Sequence, residues 1–331
     1  MKVSEFHYDL PPELIAQAPL ADRSASRMLV VDRQAGTLED RRFQDFPSYI
    51  SPGDCIVIND SKVIPSRLYG HRPTGGKVEV FLLKRLADPG VWTALVKPGR
   101  SLQPGATILF DDGLSAEVIG RGELGERTLR FSEPIDERLD RIGHIPLPPY
   151  IKRGDEAADR DRYQTVYAAH RGSVAAPTAG LHFTPELLGL CREAGAVIAP
   201  VTLHVGLGTF QPLTTDDVSK VTLHAEEYEI SESAAASMRD AGRILAVGTT
   251  SLRTIESAGL KAGRGETSLF ISPGYNFQHV GALLTNFHLP STSLLLLVAA
   301  FAGADLTRRA YLHAVEERYR FYSYGDCMLV L

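Results

Sequence analysis

The spacing of apolar and polar residues changes along the chain, and residues 67–131 form a distinct segment. Turns rich in Gly, Pro and Asp separate five short apolar runs in this segment: KVEVFLLKRL, VWTALVKPG, ATILFDDG, LSAEVIGRG and RTLRFSEP. They recur at intervals of about 10–15 residues with no helical period between them, as in small all-β domains. The pattern therefore predicts a small antiparallel β-barrel or sandwich.

From about Tyr163 onward, strand-like runs alternate with helical ones. TPELLGLCREAG predicts a helix with Thr184 as N-cap and Pro185 at its first position. The predicted strands are AVIAPVTLHV, RILAVG, TSLFISPG and VGALLTNFHLP, and the other predicted helices are SESAAASMRDAG, TTSLRTIESAGL, STSLLLLVAAFAG and LTRRAYLHAVEERYRF. Such alternation favours an α/β fold with a largely parallel sheet, open or closed into a barrel.

Similar apolar runs occur in the first 66 residues, which favours a domain split by an insertion. Residues 1–66 and 150–331 are predicted to form a barrel-like α/β domain. Residues 67–149 are predicted to form an inserted small antiparallel β-barrel domain with its connecting loop. Three prolines between residues 141 and 156 predict an irregular, rigid closing segment.

Charge and cysteine content narrow the function classes. The net charge of the 331 residues is −5, which disfavours indiscriminate binding of nucleic acid. Residues 67–131 nevertheless carry ten Lys/Arg against seven Asp/Glu, so this segment is the better partner for phosphates. Three widely separated cysteines favour a reducing cytoplasm. The N-terminus lacks a signal-like apolar region, and the longest apolar run, residues 294–302, predicts no membrane span.

Four histidines stand at or near the ends of apolar runs: His182, His204, His224 and His288. In α/β folds the ligand site lies at the carboxyl ends of the strands, so these side chains are expected to face one cavity. Three interpretations stay open: buried structural histidines, a metal site, or a polar pocket for proton transfer. No HxH, HExxH or CxxC motif is present to support the metal site. Glu226, two residues after His224, is expected either to orient its imidazole or to belong to an exposed acidic strand with Glu227 and Glu229.

Three loops add polar groups. AVGTTSLRTIES places Gly248, Thr249, Thr250 and Ser251 where a strand gives way to a helix, a seat for a carboxylate or phosphate. It is neither a P-loop nor a dinucleotide-binding fingerprint. PTAGLHFTPE contains Thr178 beside His182, and NDSKVIPSRL contains Asn59 and Arg67.

Taken together, long motifs resemble the S-adenosylmethionine:tRNA ribosyltransferase-isomerase family of queuosine biosynthesis. They occur in one order over nearly the whole chain: NDSKVIPSRL, RIGHIPLPPYI, DRYQTVYA, GSVAAPTAGLHFT, VTLHVGLGTFQP, AVGTTSLRTIES, TNFHLP and YRFYSYGD. The resemblance implies an α/β barrel-like domain that carries an inserted β-barrel.

The resemblance also implies the reaction. The ribosyl part of S-adenosylmethionine is transferred to 7-aminomethyl-7-deazaguanine at the wobble position of tRNA and isomerised, which gives epoxyqueuosine and releases adenine and methionine. S-adenosylmethionine is consumed as a substrate, so no cofactor and no metal are expected. The expected partners are the tRNAs for Tyr, His, Asn and Asp; the protein is expected to be a monomer without a membrane partner.

The chemistry of this reaction suggests roles for the candidate residues. His204 and the His224–Glu226 pair are expected to transfer protons, while His182 and His288 with Asn286 hold the sugar or the adenine. The start of the TTSLRTIES helix is expected to bind the methionine carboxylate. Further substrate-binding candidates are Thr178, Gly248, Arg253, Asn59 and Arg67. Arg67 is expected to contact the tRNA backbone together with Lys77 and Arg100. Two alternatives remain: a metal-dependent α/β-barrel hydrolase and a non-catalytic tRNA-binding module.

Overall fold

The main body of the molecule is a nine-stranded mixed β-sheet, in a computed structural model that describes residues 1–122, 125–206, 213 and 215–331. Residues 207–212, most of the HVGLGTFQP motif, therefore lie outside the described residues. The described strands are β1 (Arg27–Asp32), β2 (Thr37–Arg42), β3 (Asp54–Asn59), β4 (Ser61–Val63), β5 (Arg67–His71), β6 (Lys77–Arg85), β7 (Val91–Lys97), β8 (Thr107–Leu109), β9 (Ser115–Arg121), β10 (Glu126–Phe131), β11 (His170–Ser173), β12 (Val197–Leu203), β13 (Glu226–Ile230), β14 (Arg243–Val247), β15 (Gly263–Thr267), β16 (Val280–Asn286) and β17 (Cys327–Val330).

The strand order of the large sheet is β15-β13-β12-β3-β14-β16-β17-β1-β2. The four central strands, β12, β3, β14 and β16, run parallel to one another. Toward the edges the pairing is mostly antiparallel, because β13 turns back beside β12 and β17 turns back beside β16. The α/β prediction is confirmed, and the expected parallel pairing holds at the centre of the sheet rather than throughout.

Apolar residues on alternating strand positions pack on both faces of this sheet. Val57 and Ala246 point into a core on one face, and Ile56 and Leu245 point into a second core on the other. Central parallel strands are apolar on both faces because both are covered. The described helices are α1 (Leu139–Ile142), α2 (Asp159–Arg162), α3 (Pro185–Glu193), α4 (Glu232–Arg239), α5 (Gly248–Ala258), α6 (Ser293–Ala302) and α7 (Ala304–Glu316).

Helix boundaries follow local sequence signals. Thr184 caps α3 by accepting a hydrogen bond from the Leu187 N–H at 3.3 Å, and Pro185 occupies the first helical position, as predicted. The strand predicted for TSLFISPG is wrong, since β15 ends at Thr267. The apolar residues that follow, such as Leu269 and Ile271, pack against the core from an irregular segment. Within the described residues, no helix is both long and apolar enough to cross a membrane.

The inserted β-barrel is closed and antiparallel, with strand order β10-β7-β6-β5-β8-β9. Its interior is filled by alternating apolar residues that include Leu68, Val80 and Trp92. The sequence predicted five of the six strands, and β5 completes the barrel. The six strands lie between Arg67 and Phe131; the domain limits at 66/67 and 149/150 remain a prediction.

Candidate active site

Polar residues gather at one edge of the large sheet because several strands end there. The parallel strands β3, β12, β14 and β16 end at Asn59, Leu203, Val247 and Asn286. Since β13 is antiparallel to β12, its first residue, Glu226, lies at the same edge. Ligand sites of open α/β sheets lie outside this carboxyl edge.

A cavity of about 740 Å³ lies between this edge and the barrel. We call it the interdomain cleft. The main domain contributes His204, His224 and Glu226 to its wall, and the barrel contributes Lys84 and Trp92. An ion pair of 2.5 Å between Lys84 and Glu227 joins the two parts beside the cleft. The edge of the large sheet and the barrel therefore enclose one cleft lined by both charged and apolar residues.

His204 is half-buried in the wall of the interdomain cleft. Burial lowers the pKa of its imidazole, and the nearby Glu227 opposes the shift. Its Nδ1 atom is buried and has no hydrogen-bond partner within the described residues. The ring packs on Gly172, where a Cβ atom would lie 2.9 Å from His204 Cε1. A neutral imidazole held in this way can accept a proton.

Asp60, which the sequence analysis left out of the candidate set, lies close to His204. Thr202 Oγ1 donates to Asp60 Oδ1 at 2.6 Å, and His170 Nε2 lies 3.6 Å from Oδ2. Burial raises the pKa of the Asp60 carboxyl. Its position directly after strand β3 was the signal that could have identified it, since strand-end polar residues share one edge.

Glu226 pairs with Arg253 and not with His224 in the structure. Arg253 Nη1 donates to Glu226 Oε2 at 2.5 Å, and the Gly206 N–H donates to Oε1 at 3.0 Å. Both side chains of the ion pair are 7% exposed. His224 is exposed and precedes β13, so the expected alternation of an extended strand does not apply to it. The predicted His224–Glu226 pair is therefore corrected, although both residues line the cleft.

The start of α5 has fewer free hydroxyls than the sequence suggested. Ser251 Oγ donates to the Val247 carbonyl at 2.8 Å, and Thr250 Oγ1 accepts from Asn59 Nδ2 at 3.3 Å. Thr249 makes no side-chain hydrogen bond to the described residues and is buried. Gly248 has φ +88°, which lets the chain turn from strand into helix. The three hydroxyls thus do not form a common anion seat.

Asn59 stabilises the sheet edge instead of facing a ligand. Its Nδ2 donates to the Leu203 carbonyl at 3.0 Å, and its Oδ1 accepts from the N–H groups of Leu203 and Ser61, each at 3.1 Å. These bonds hold the ends of β3 and β12 together. Both ends of the amide are engaged by protein groups.

His182 and Asn286 form a second, fully buried polar group near the ends of β16 and β17. His182 Nδ1 lies 2.7 Å from Ser26 Oγ, and the ring packs against Phe43. Burial lowers the pKa of His182 to about 4, an effect that Asn286 opposes. Asn286 Nδ2 donates to the Tyr322 carbonyl, while His182 Nε2 and Asn286 Oδ1 lack partners within the described residues. Thr178 begins the same 3₁₀ turn and is half-buried.

His288 is a core histidine. Its Nε2 lies 2.9 Å from Thr285 Oγ1, and its main chain bonds the hydroxyls of Tyr8 and Tyr311. Burial lowers its pKa to about 3. It does not line the interdomain cleft. The four histidines therefore do not converge, because two lie in that cleft and two are buried elsewhere.

Arg67 lies apart from the interdomain cleft. Its guanidinium donates to Glu79 at 2.6 Å and to the Leu147 carbonyl at 3.3 Å. It lines a separate cavity of about 310 Å³ between the barrel and the proline-rich segment. In the described part of the chain, no three His, Cys, Asp or Glu side chains are grouped as metal ligands.

The molecule thus has an α/β sheet, an inserted β-barrel and a cleft between them at the carboxyl edge, which is where α/β proteins bind their ligands. The chain belongs to the family described as queuosine biosynthesis protein, whose sequence profile matches residues 3–330. The family resemblance of the sequence motifs is confirmed.

Individual relatives are similar over their full length. The S-adenosylmethionine:tRNA ribosyltransferase-isomerase of Solibacter usitatus is 57% identical over 352 residues, covering 100% of both chains. The enzyme of the same name from Syntrophomonas wolfei is 51% identical over 344 residues, covering 100% of this chain and 97% of its own. The crystal structure of an S-adenosylmethionine tRNA ribosyltransferase from Thermotoga maritima matches with a TM-score of 0.57 and 38% identity, covering 99% of this chain and 100% of that one.

Proposed function

We propose that this protein catalyses the S-adenosylmethionine:tRNA ribosyltransferase-isomerase reaction of queuosine biosynthesis. The observation that carries the proposal is the full-length match to relatives of that name in a chain with a cleft between the sheet edge and the barrel. The ribosyl group of S-adenosylmethionine goes to 7-aminomethyl-7-deazaguanine in tRNA and becomes the epoxycyclopentanediol of epoxyqueuosine. Adenine and methionine leave. The relatives support neither the hydrolase nor the binding module.

His204 is the proposed base that removes the proton beside the sulfonium. Its imidazole lines the interdomain cleft, and its lowered pKa keeps it neutral near pH 7. The Asp60 carboxylate lies close to this imidazole and stabilises the imidazolium that forms. His224, exposed in the cleft, is the proposed carrier that exchanges protons with water.

His182 and Asn286 are proposed to hold the neutral adenine ring as it leaves. His182 Nε2 and Asn286 Oδ1, which have no hydrogen-bond partner among the described residues, provide hydrogen-bonding atoms suited to a heteroaromatic base. The lowered pKa of His182 keeps this group uncharged. Asn286 is the last residue of β16, at the same carboxyl edge as the cleft.

The barrel is proposed to contact the tRNA backbone. Lys77 and Arg100 are exposed on the segment with the positive charge balance, and Arg67 is held by Glu79 at its base. The proposed acceptors are the tRNAs for Tyr, His, Asn and Asp. The protein is proposed to act as a monomer in the cytoplasm and to need no cofactor. The family resemblance of the motifs supports the acceptor tRNAs, and the three widely separated cysteines support the location.

Free adenine provides the test. The pure protein is incubated with S-adenosylmethionine and an acceptor tRNA carrying 7-aminomethyl-7-deazaguanine, in the presence of a chelator. We expect adenine release that depends on the modified base, with unmodified tRNA as the control. Binding of the tRNA without adenine release would instead point to a binding module.

A further inference from the structure

A small cavity of about 50 Å³ adjoins the interdomain cleft, and nothing in the proposed mechanism so far uses it. The two cavities share a wall formed by Gly206, His224, Ala225 and Glu226. Arg253 and the first residues of α6, Ser293 and Leu294, line its far side. The small cavity is therefore a side chamber of the cleft.

Arg253 carries an uncommitted donor into this side chamber. Its Nη1 donates to Glu226 and its Nε donates to the Leu269 carbonyl at 2.9 Å. Its Nη2 is buried and has no partner in the parts of the chain that the structure describes, and the side chain is only 7% exposed. Buried polar groups in folded proteins normally have partners, so this buried guanidinium N–H is a donor available to an oxygen atom of a ligand.

The start of α6 adds a second, independent set of donors. Thr292 caps the helix by accepting from the Leu295 N–H at 3.4 Å. The N–H groups of Ser293 and Leu294 have no partner in the described residues, as is usual for the first turn of a helix. The positive end of the helix dipole favours an anion at this position. Arg253 and the start of α6 line the same chamber, and both offer donors suited to a carboxylate.

The remaining walls fit the other parts of an amino acid. Glu226 offers a carboxylate whose two oxygens each accept one protein hydrogen bond and retain a further lone pair for an ammonium group. Leu269, Ile271 and Leu297 provide apolar surface. An anion site, a carboxylate and an apolar wall within one chamber match a zwitterion with an aliphatic side chain.

We propose that the side chamber binds the methionine end of S-adenosylmethionine. The α-carboxylate lies on Arg253 Nη2 and the first turn of α6, the α-ammonium lies on Glu226, and the rest of the substrate extends into the interdomain cleft. This inference rests on the proposed function and assigns the substrate's carboxylate to α6 instead of α5. It also gives the Glu226–Arg253 ion pair a role: the carboxylate of the zwitterion pairs with Arg253 and its ammonium pairs with Glu226, so the four charges balance.

Decarboxylated S-adenosylmethionine tests this assignment without altering the protein. Adenine release is measured with either compound at saturating modified tRNA. Because the missing carboxylate removes charge-assisted hydrogen bonds, we expect a preference for S-adenosylmethionine in kcat/KM of roughly tenfold or more. Equal kcat/KM values would overturn the inference alone. No adenine release from S-adenosylmethionine would overturn the proposed function and this inference with it.

Two variants locate the preference. R253K keeps a cation but removes the second guanidinium donor, and S293P removes one N–H at a helix position that tolerates proline. Both are expected to lower the preference several-fold. E232P makes the same change at the first residue of α4, away from the chamber, and should keep the full preference. If R253K and S293P both keep it too, the carboxylate is bound elsewhere and the inference is wrong.

Discussion

At the scale of single residues, the surroundings of each histidine determine which one can transfer a proton. His204 opens onto the cleft and stays neutral near pH 7, whereas His288 is enclosed by Thr285 and two tyrosines. An exposed position alone is not sufficient, because His224 lacks a described partner that would orient its ring. His204 therefore combines access to the cleft with a ring that packs against Gly172.

The pH dependence of turnover tests this role. The neutral form of a base is active, and burial lowers the His204 pKa, so activity should persist below the ordinary value of about 6.5 before it falls. Glu227, Asp60 and His170 face the same imidazole and contribute to the position of this limb. H204Q should lose turnover by about 10²-fold or more and retain binding of S-adenosylmethionine by calorimetry. Near-normal turnover by H204Q would remove His204 from the mechanism.

Gly172 provides a second test at this scale. Its φ is +145°, and an added Cβ would contact the His204 ring at 2.9 Å. G172A should displace the ring and lower kcat, in addition to a backbone strain of about 1 kcal/mol or more. Gly263 is the matched control, since its φ is +136° and an added Cβ would meet nothing within 4 Å. Thermal melting and kcat for both variants separate strain from the contact: equal kcat values would contradict the role of the contact.

At the scale of elements, helix starts have two uses in this protein. Thr184 caps α3, which packs on the core, and Thr292 caps α6, which opens onto the side chamber. The local signal of a hydroxyl residue before a helix is the same in both cases. The two helix starts differ only in their position in the fold, which places the start of α6, and not that of α3, beside the proposed carboxylate of S-adenosylmethionine.

Substituting each capping threonine distinguishes a helix start that only stabilises the fold from one that also binds substrate. T184A and T292A should each destabilise the protein by about 1 kcal/mol, measured by urea unfolding. T292A alone should raise KM for S-adenosylmethionine, because the first turn of α6 loses its fixed geometry. A matching rise of KM in T184A would show that the effect comes from general loss of stability.

Elements with strong local signals could be predicted from the sequence, and long-range pairings could not. The Thr184-Pro185 start of α3 and the short barrel strands have such signals, and both are confirmed. The Glu226–Arg253 pair joins residues 27 positions apart on β13 and α5, which no local pattern indicates. Asp60 and His204 likewise meet only because β3 and β12 are neighbours in the sheet. The periodicity of TSLFISPG predicted a strand, but tertiary packing of Leu269 and Ile271 decides that segment.

At the scale of the whole molecule, buried neutral histidines should make the fold sensitive to acid. Burial lowers the pKa of His182 to about 4 and of His288 to about 3. The unfolded chain binds these protons at about 6.5, so stability is complete above that pH and is lost as the pH falls toward the folded values. The expected loss is about 1.4 kcal/mol per histidine per pH unit within this window.

Urea unfolding between pH 8 and pH 5 measures this loss. H288Q removes one of the two buried imidazoles, so its free energy of unfolding should fall less steeply with acid than that of the unaltered protein. Comparing the slopes of the free energy of unfolding against pH removes any destabilisation by the substitution that is the same at every pH. Identical slopes would mean that burial does not lower the pKa of His288 in the folded protein.

The proposed reaction requires that the ribosyl group, and not the methyl group, of S-adenosylmethionine enters tRNA at the interdomain cleft. The direct measurement uses S-adenosylmethionine labelled with ¹³C either in the ribose or in the methyl group, followed by mass spectrometry of the tRNA nucleosides. Ribose label in the modified nucleoside, with one adenine released for each, is the predicted result. Methyl label in the nucleoside, with adenine retained, would contradict the account.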